Sequence, residues 1–408
     1  MSTMSAIKIG LIREGKTPPD KRVPFTPLQV EEIEQRFPDV KVVCQKSSIR
    51  CFGDDEYLEL GIDVMKDIDD CDILMGIKEV PISELIRGKI YLFFSHTIKK
   101  QPYNRKLLQE VLLKKIRLID YEALKDNQGN RTIAFGRFAG IVGAYNSLWT
   151  YGKRYGKFSL RRAYECFDIN DLKLELRKVK LPSIKIILTG AGRVGKGAME
   201  TLDTAGIRKV NRHDFLNRQF DEPVYVQLSS ADYHTRKEGG HFNREEFHKE
   251  PERYLSHFSE FLKETDILLA GAYWNPKAPV LFTRKEMTQP DFKIKIIADI
   301  TCDIGGSIPS TKRSSSISDP IYDYDSATDS IQPPLSNDKH VTVMAVDNLP
   351  CELPRSASEE FGRDLIDRIL KPLLEEDIDK IIERGTITSN GKLTTRFEYL
   401  QEYVNGTD

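Results

Sequence analysis

Short apolar runs recur early in the chain, at 7–12 (IKIGLI), 40–45 (VKVVCQ), 72–77 (DILMGI), 89–95 (KIYLFFS) and 116–121 (IRLIDY). Each has the length of a strand. Amphipathic helical stretches lie between several of them, such as 104–115 (NRKLLQEVLLKK) with Leu107, Leu108, Val111 and Leu112 on one face. Strands that alternate with helices predict a parallel sheet covered on both faces. A second series of runs, at 184–190, 224–228, 266–272, 294–300 and 341–347, follows a charge-dense stretch over 153–182. The pattern predicts an α/β fold of two doubly wound, Rossmann-like domains with parallel sheets and a substrate cleft between them. The first domain is expected over 1–150 plus 355–408, the second over 180–350.

Between the two series, 135–152 (FGRFAGIVGAYNSLWTYG) reads as a helix despite its glycines. Gly136, Ala139, Gly140, Gly143 and Ala144 make a small-residue face, and the helix is expected to carry the chain from one domain to the other. The return path is a helix over 356–376, opened by a serine cap and an acidic first turn. The Ser-, Asp- and Pro-rich segment 309–340 reads as a long mobile loop.

Charge and composition narrow the partners. Lys plus Arg (61) nearly equals Asp plus Glu (62), so no global field attracts nucleic acid or an anionic membrane, and a small molecule is the expected partner. The six cysteines form no CxxC pair, which predicts reduced thiols without disulfide or zinc. Histidines 234, 241, 248 and 257 lack metal-ligand spacing, and their segment reads as a solvated, partly helical insertion without a metal. The first residues show no export signal and no apolar run reaches about 18 residues, so a soluble cytoplasmic protein is expected.

In parallel sheets ligands bind outside the carboxyl ends of the strands. The residues there are Arg13, Lys78 with Glu79, His96, and Asp120 with Glu122. Lys78 and His96 end strands separated by one short crossover, and Glu79 and Glu122 are placed to tune them, which favours a catalytic pair over a solvated lysine and a structural histidine. Arg13, Arg22 and Arg131 are candidates for binding carboxylates. In the second series, Gly190, Gly192 and Gly195 form G-x-G-x-x-G around Arg193 and Val194, after a strand and before a helix, as dinucleotide binding requires. Where an acid would mark NAD(H), the chain offers Asn211 and Arg212, so NADP(H) is the preferred expectation; Asp214 keeps NAD(H) open.

The segments GIKEVP, FFSHTIKKQ, RLIDYE, RTIAFGRFAG, TGAGRVGKGA, HKEPERY, IIADITCDIGGSI, AVDNLPCELPRSASEEFG and ITSNGKL resemble the lysine-2-oxoglutarate reductase half of α-aminoadipic semialdehyde synthase. They are similar, less closely, to free-standing lysine-forming saccharopine dehydrogenase, and more distantly to alanine dehydrogenase and the proton-pumping transhydrogenase. The resemblance implies condensation of L-lysine with 2-oxoglutarate and reduction of the imine to saccharopine by a nicotinamide, or the reverse. It implies Lys78 and His96 as acid–base residues, with Glu79 and Glu122 holding or tuning the amine. It also implies Arg13, Lys16, Arg22 and Arg131 as carboxylate anchors, and Asp303, Asp347, Asn348 and Leu349 near the nicotinamide and ribose. The saccharopine-cleaving half of the animal protein has no counterpart in this sequence, so a separate enzyme is expected as pathway neighbour. Two alternatives remain, an alanine dehydrogenase-like enzyme acting on ammonia and a nicotinamide-binding regulatory protein without turnover.

Overall fold

The computed structural model describes residues 6–407. It comprises two compact units, one formed by the chain up to Phe135 with the segment from Pro354 onward, the other by Gly136–Leu353. In the first unit β1 (Ile7–Leu11), β2 (Val40–Gln45), β3 (Val64–Met65), β4 (Ile73–Met75), β5 (Ile90–Phe93) and β6 (Arg117–Asp120) pair in parallel, in the order β3-β2-β1-β4-β5-β6. A C-terminal hairpin, Thr386–Ser389 with Lys392–Leu393, adds antiparallel strands beside β6. Asn390 and Gly391 both have positive φ, as a tight two-residue hairpin turn requires.

Alternation along the strands makes two cores. Leu11, Met75, Leu92 and Phe94 pack with Val30, Ile33, Phe361 and Leu365 on one face, whereas Leu74, Tyr91 and Phe93 pack with Leu107, Leu108 and Val111 on the other. The helix carrying Phe361 starts at Pro354, before the serines expected to cap it; Ser358 is buried and accepts the N–H of Val23 at 2.9 Å.

The second unit repeats the plan. Its strands are β7 (Lys185–Thr189), β8 (Arg208–Lys209), β9 (Val224–Leu228), β10 (His234–Arg236), β11 (Tyr254–Ser256), β12 (Ile267–Ala270), β13 (Ile296–Asp299), β14 (Ile321–Asp325), β15 (Ser330–Gln332) and β16 (Val341–Met344). The parallel order is β8-β9-β7-β12-β13-β16, and β14 and β15 extend it antiparallel. The segment 309–340 is therefore not simply the mobile loop its composition suggested. Tyr322 and Tyr324 are buried, and the enclosed Asp323 is satisfied by the Thr342 hydroxyl at 2.7 Å with Arg154 at 3.7 Å. The histidine segment is partly helical, over Arg244–Lys249, and largely exposed, but it is not wholly solvated. It pairs β10 with β11, and His234 is buried, which lowers its pKa to about 4. Among the described residues no group of three His, Cys, Asp or Glu is placed to hold a metal ion.

Helix α1 (Gly136–Tyr155) belongs to the second unit and packs on α2 (Arg193–Thr204). The small residues are required by backbone approach: a Cβ on Gly140 would lie 1.9 Å from the Val194 carbonyl oxygen, and one on Gly197 would lie 1.9 Å from that of Arg137. Arg137 and Glu200 close the pair with hydrogen bonds of 2.6–2.9 Å. Gly140→Ala should therefore destabilise this unit by about 3 kcal/mol or more, as overpacking against unyielding backbone does; urea unfolding followed by circular dichroism checks it.

Candidate functional site

In a doubly wound sheet the crevice opens where the strand order reverses. In the first unit this point lies between β1 and β4, so residues 12–22 and 76–80 supply its walls. Glu14 is buried there, and its oxygens accept the backbone N–H of Ile77 at 2.6 Å and of Lys78 at 2.9 Å, pinning the turn on which Lys78 stands. Burial, then the charge of Asp20, pushes the Glu14 carboxyl up to about 8 against those two donors and Arg22. Burial, then the neighbouring Arg22, lowers the pKa of Lys78. Such a lysine gives up its proton more readily than one in water. Arg22 is itself enclosed, donating to Asp20 at 2.9 and 2.6 Å with its guanidinium 4.1 Å from the Phe135 ring centroid.

Asp120, at the end of β6, organises the other half. It accepts the N–H of Ser95 (2.9 Å), the N–H of Glu122 (2.7 Å) and the Ser95 hydroxyl, which also bonds the Thr97 hydroxyl at 2.8 Å. These contacts flank His96, whose φ of 53° is uncommon for a residue with a side chain. The apolar strand stops on a histidine because the backbone turns there. The imidazole stacks on Phe94 and places Nδ1 2.6 Å from Glu79, whose other oxygen accepts from Lys16 at 3.0 Å. Burial pushes the Glu79 carboxyl up, but the hydrogen bond and charge of His96, with Lys16, outweigh it and bring it down to about 2. An ionised carboxylate only accepts, so Nδ1 is the donor in this contact and Nε2 is the ring nitrogen left to face a substrate.

A carboxyl held below its unfolded value adds stability that is complete above the unfolded pKa of about 4.5 and is lost as the pH falls toward about 2. Glu79→Gln should remove a contribution of about 3 kcal/mol at most from that window. A flatter acid limb in the urea midpoint against pH is the expected readout.

Glu122 lies 3.6 Å from Arg131 and 3.7 Å from Lys99, and the Arg131 guanidinium sits 5.9 Å from the Phe94 centroid. Phe94 thus joins the two groups, so Lys16, Arg22, Lys78, Glu79, His96, Glu122 and Arg131 form one neighbourhood. Arg13 is not drawn into it. Its guanidinium pairs with Glu84 at 3.2 Å and lines a cavity with Leu74 and Tyr91, which belong to the opposite core. Glu14 and Asp20 were not singled out by sequence reasoning, because isolated acids in a proline-rich loop carry no periodic signal.

In the second unit the strand order reverses between β7 and β12. Gly190 has φ +101°, and a Cβ there would meet the Gly271 carbonyl oxygen at 2.9 Å; one on Gly195 would lie 2.2 Å from the Gly190 oxygen. A Cβ on Gly192 would meet nothing within 4 Å, and α2 starts there at Arg193 and Val194 without a side-chain cap. Open space over an uncapped helix N-terminus fits a dinucleotide pyrophosphate. A cavity of about 680 Å³, lined by Val194, Gly271, Trp274, Thr301 and Asp303, adjoins this turn. Asp347, Asn348 and Leu349 follow β16, two strands beyond β12.

Arg212 does not stand where the sequence suggested. It follows β8, which pairs with β9 rather than β7, and its guanidinium bonds Glu260 at 2.5 Å. The chain visits the outer position of the sheet before returning to the inner one, so the strand beside β7 is β9. Ser229 and Ser230 follow β9, and Gly190 donates its N–H to the Leu228 carbonyl at 2.8 Å, which sets Ser229 next to the glycine turn.

A doubly wound unit with a dinucleotide-type glycine turn is joined in one chain to a second that carries an ionisable cluster, the two-part plan of a nucleotide-binding α/β family. The chain belongs to the alanine dehydrogenase/PNT family, whose N-terminal domain matches residues 10–142 and whose C-terminal domain matches 175–396. It is 30% identical over 97% of its length to alpha-aminoadipic semialdehyde synthase of Rattus norvegicus and covers 47% of that protein. It is 28% identical over 96% of its length to the Arabidopsis thaliana synthase, covering 41% of it. The chain therefore spans about half the length, or less, of these curated relatives. It is also 24% identical over 96% of its length to the NAD(+), L-lysine-forming saccharopine dehydrogenase of Emericella nidulans, covering 99% of that protein. Among solved structures, an L-alanine dehydrogenase matches with a TM-score of 0.64 at 14% identity, covering 98% of this chain and 100% of the other. A transhydrogenase from Sinorhizobium meliloti matches at 0.59 and 14%, covering 95% and 98%. Both show the fold alone. Among the described residues no helix is long and apolar enough to cross a membrane.

Proposed function

We propose that this chain catalyses the reductive condensation of L-lysine with 2-oxoglutarate to saccharopine, or its reverse, with a nicotinamide dinucleotide. The observation that carries this reading is the gathering of a desolvated Lys78 and a Glu79-bound His96 at the reversal point of the first unit. The likeness to relatives named for saccharopine formation and for aminoadipic semialdehyde synthesis supplies the substrates.

In this mechanism His96 Nε2 accepts a proton from the lysine ε-ammonium, and the freed amine attacks the keto carbon. The nitrogen proton passes to the alkoxide to give the carbinolamine, and Lys78 donates a proton to its oxygen, which leaves as water and gives the protonated imine. A reduced nicotinamide dinucleotide held over the Gly190–Gly195 turn would supply the hydride that reduces the protonated imine to the secondary amine. Glu79 fixes the imidazole tautomer, and Glu14 fixes the turn beneath Lys78. The substrates together bring three carboxylates, and Lys16, Arg22 and Arg131 are the cations set to receive them. Arg131→Ala should raise the KM for 2-oxoglutarate roughly 10- to 100-fold, corresponding to about 1.5–3 kcal/mol for a charge-assisted contact. Steady-state kinetics with 2-oxoglutarate varied at fixed lysine checks this.

The preferred nucleotide is NADP(H), because hydroxyls rather than an acid follow β9. Cys44, Cys71, Cys166 and Cys302 are free thiols, which suits a reducing compartment such as the cytoplasm. A saccharopine-cleaving enzyme is the pathway neighbour. Mass spectrometry tests the reaction: saccharopine should appear only when lysine, 2-oxoglutarate and reduced nucleotide are all supplied. Alanine formed from pyruvate and ammonia at a comparable rate would overturn the reading in favour of an alanine dehydrogenase-like enzyme.

A further inference from the structure

The first unit holds a second cavity, of about 450 Å³, on the face of its sheet opposite the Lys78–His96 cluster. Its floor is apolar, built from Leu74, Val80 and Leu85, and its rim carries charges of both signs. Two of these are incompletely used. Glu84 accepts from Arg13 Nη2 through Oε1 at 3.2 Å, while its Oε2 is shielded from solvent and takes no hydrogen bond. Arg13 is half exposed and meets Glu84 through a single long contact. An ion pair of this kind contributes little by itself, so a ligand competes with it readily.

A carboxylate with one oxygen lacking a donor, beside a guanidinium held by one contact and above an aliphatic floor, is complementary to a small zwitterion with an apolar arm. We infer that this cavity binds a free α-amino acid with an unbranched aliphatic side chain, its carboxylate on Arg13, its ammonium on Glu84 and its side chain on Leu74 and Val80. Val80 and Glu84 lie on the β4–β5 connection that also carries Lys78 and Glu79. The far end of that connection is fastened, since Lys114 Nζ donates to the Leu85 carbonyl at 2.7 Å and Ile86 N–H donates to the Tyr91 hydroxyl at 2.8 Å. Glu14 holds the near end at Ile77 and Lys78, so a ligand in the cavity bears on the stretch between two fixed ends, in the same connection that carries Lys78.

L-norleucine is the probe, because it has the required zwitterion and arm but no ε-amine to condense. Calorimetric titration of the full chain should show saturable binding, retained in Lys78→Met and weakened at least tenfold in Glu84→Gln and in Ser83→Trp, which fills the cavity mouth. Hexanoate and hexylamine, each lacking one charge, should bind at least tenfold more weakly. Hydrogen exchange should slow over residues 80–86. Absence of saturable binding at millimolar norleucine overturns the inference. So does binding that survives both cavity variants with exchange protection confined to the His96 region, since that places norleucine in the lysine position of the cluster. These readouts need no turnover, so their failure is separable from failure of the proposed reaction.

Discussion

Lys78→Met should lower kcat by about two to four orders of magnitude, the usual contribution of a positioned general acid or base, while nucleotide binding stays near the wild-type value. The separation is expected because Lys78 belongs to the first unit and the glycine turn to the second. Methionine retains most of the side-chain volume, so the Glu14 hydrogen bonds to the backbone at 77 and 78 are expected to survive and the variant to fold. The pH profile supplies an independent readout. Burial and Arg22 lower the pKa of Lys78, so the basic limb of the wild-type rate profile should lie below that of an ordinary lysine and should vanish in the variant. Turnover by Lys78→Met at the wild-type rate would remove the residue from the mechanism.

Ser229→Asp should weaken NADPH by about 10- to 100-fold, through loss of a favourable phosphate contact and gain of a like charge, and should leave NADH equal or improved. The argument is topological. The strand next to β7 is β9, and the first residue after it faces the ribose in a doubly wound nucleotide unit. Asp232 does not provide the missing acid freely, because it accepts both the N–H and the hydroxyl of Ser229, at 2.6 and 2.7 Å. Arg212→Asp is the control: on the outer strand and paired with Glu260, it should discriminate much less between the two nucleotides. Fluorescence titration of NADPH and NADH, without substrate, measures both variants. A larger NADPH penalty from Arg212→Asp would place phosphate recognition on the outer strand.

Most of the parallel strands were legible because each is a continuous apolar run, and the glycine turn because strand, glycines and helix follow in sequence. Lys78 and His96 were legible because each stands just beyond such a run. What stayed hidden depended on spatial order. Arg212 occupies the expected distance along the chain, but the swap of β8 and β9 moves it one strand outward, and nothing local announces the swap. The sequence IYDYD in 321–325 carries two acids within a polar segment, and Asp323 is tolerable inside a sheet because a buried arginine, the Thr342 hydroxyl and the Ser336 N–H meet it there. Glu14 and Asp120 act by holding backbone amides, a role that any acid in a loop can appear to lack until the fold is known.

The first unit is interrupted by the whole of the second. During synthesis the strands β1–β6 emerge long before Phe361 and Leu365, which complete one of their cores, and before Thr386–Ser389, which covers the open edge of β6. At translation rates of about 5–20 residues per second the intervening segment takes roughly 10–40 s to make. The second unit, contiguous in the chain, can fold within that interval, while the first waits with an unpaired strand edge and an unfilled apolar face. The first unit is therefore the part of the nascent chain most vulnerable to aggregation, and chaperone demand should concentrate on the region that will later hold Lys78.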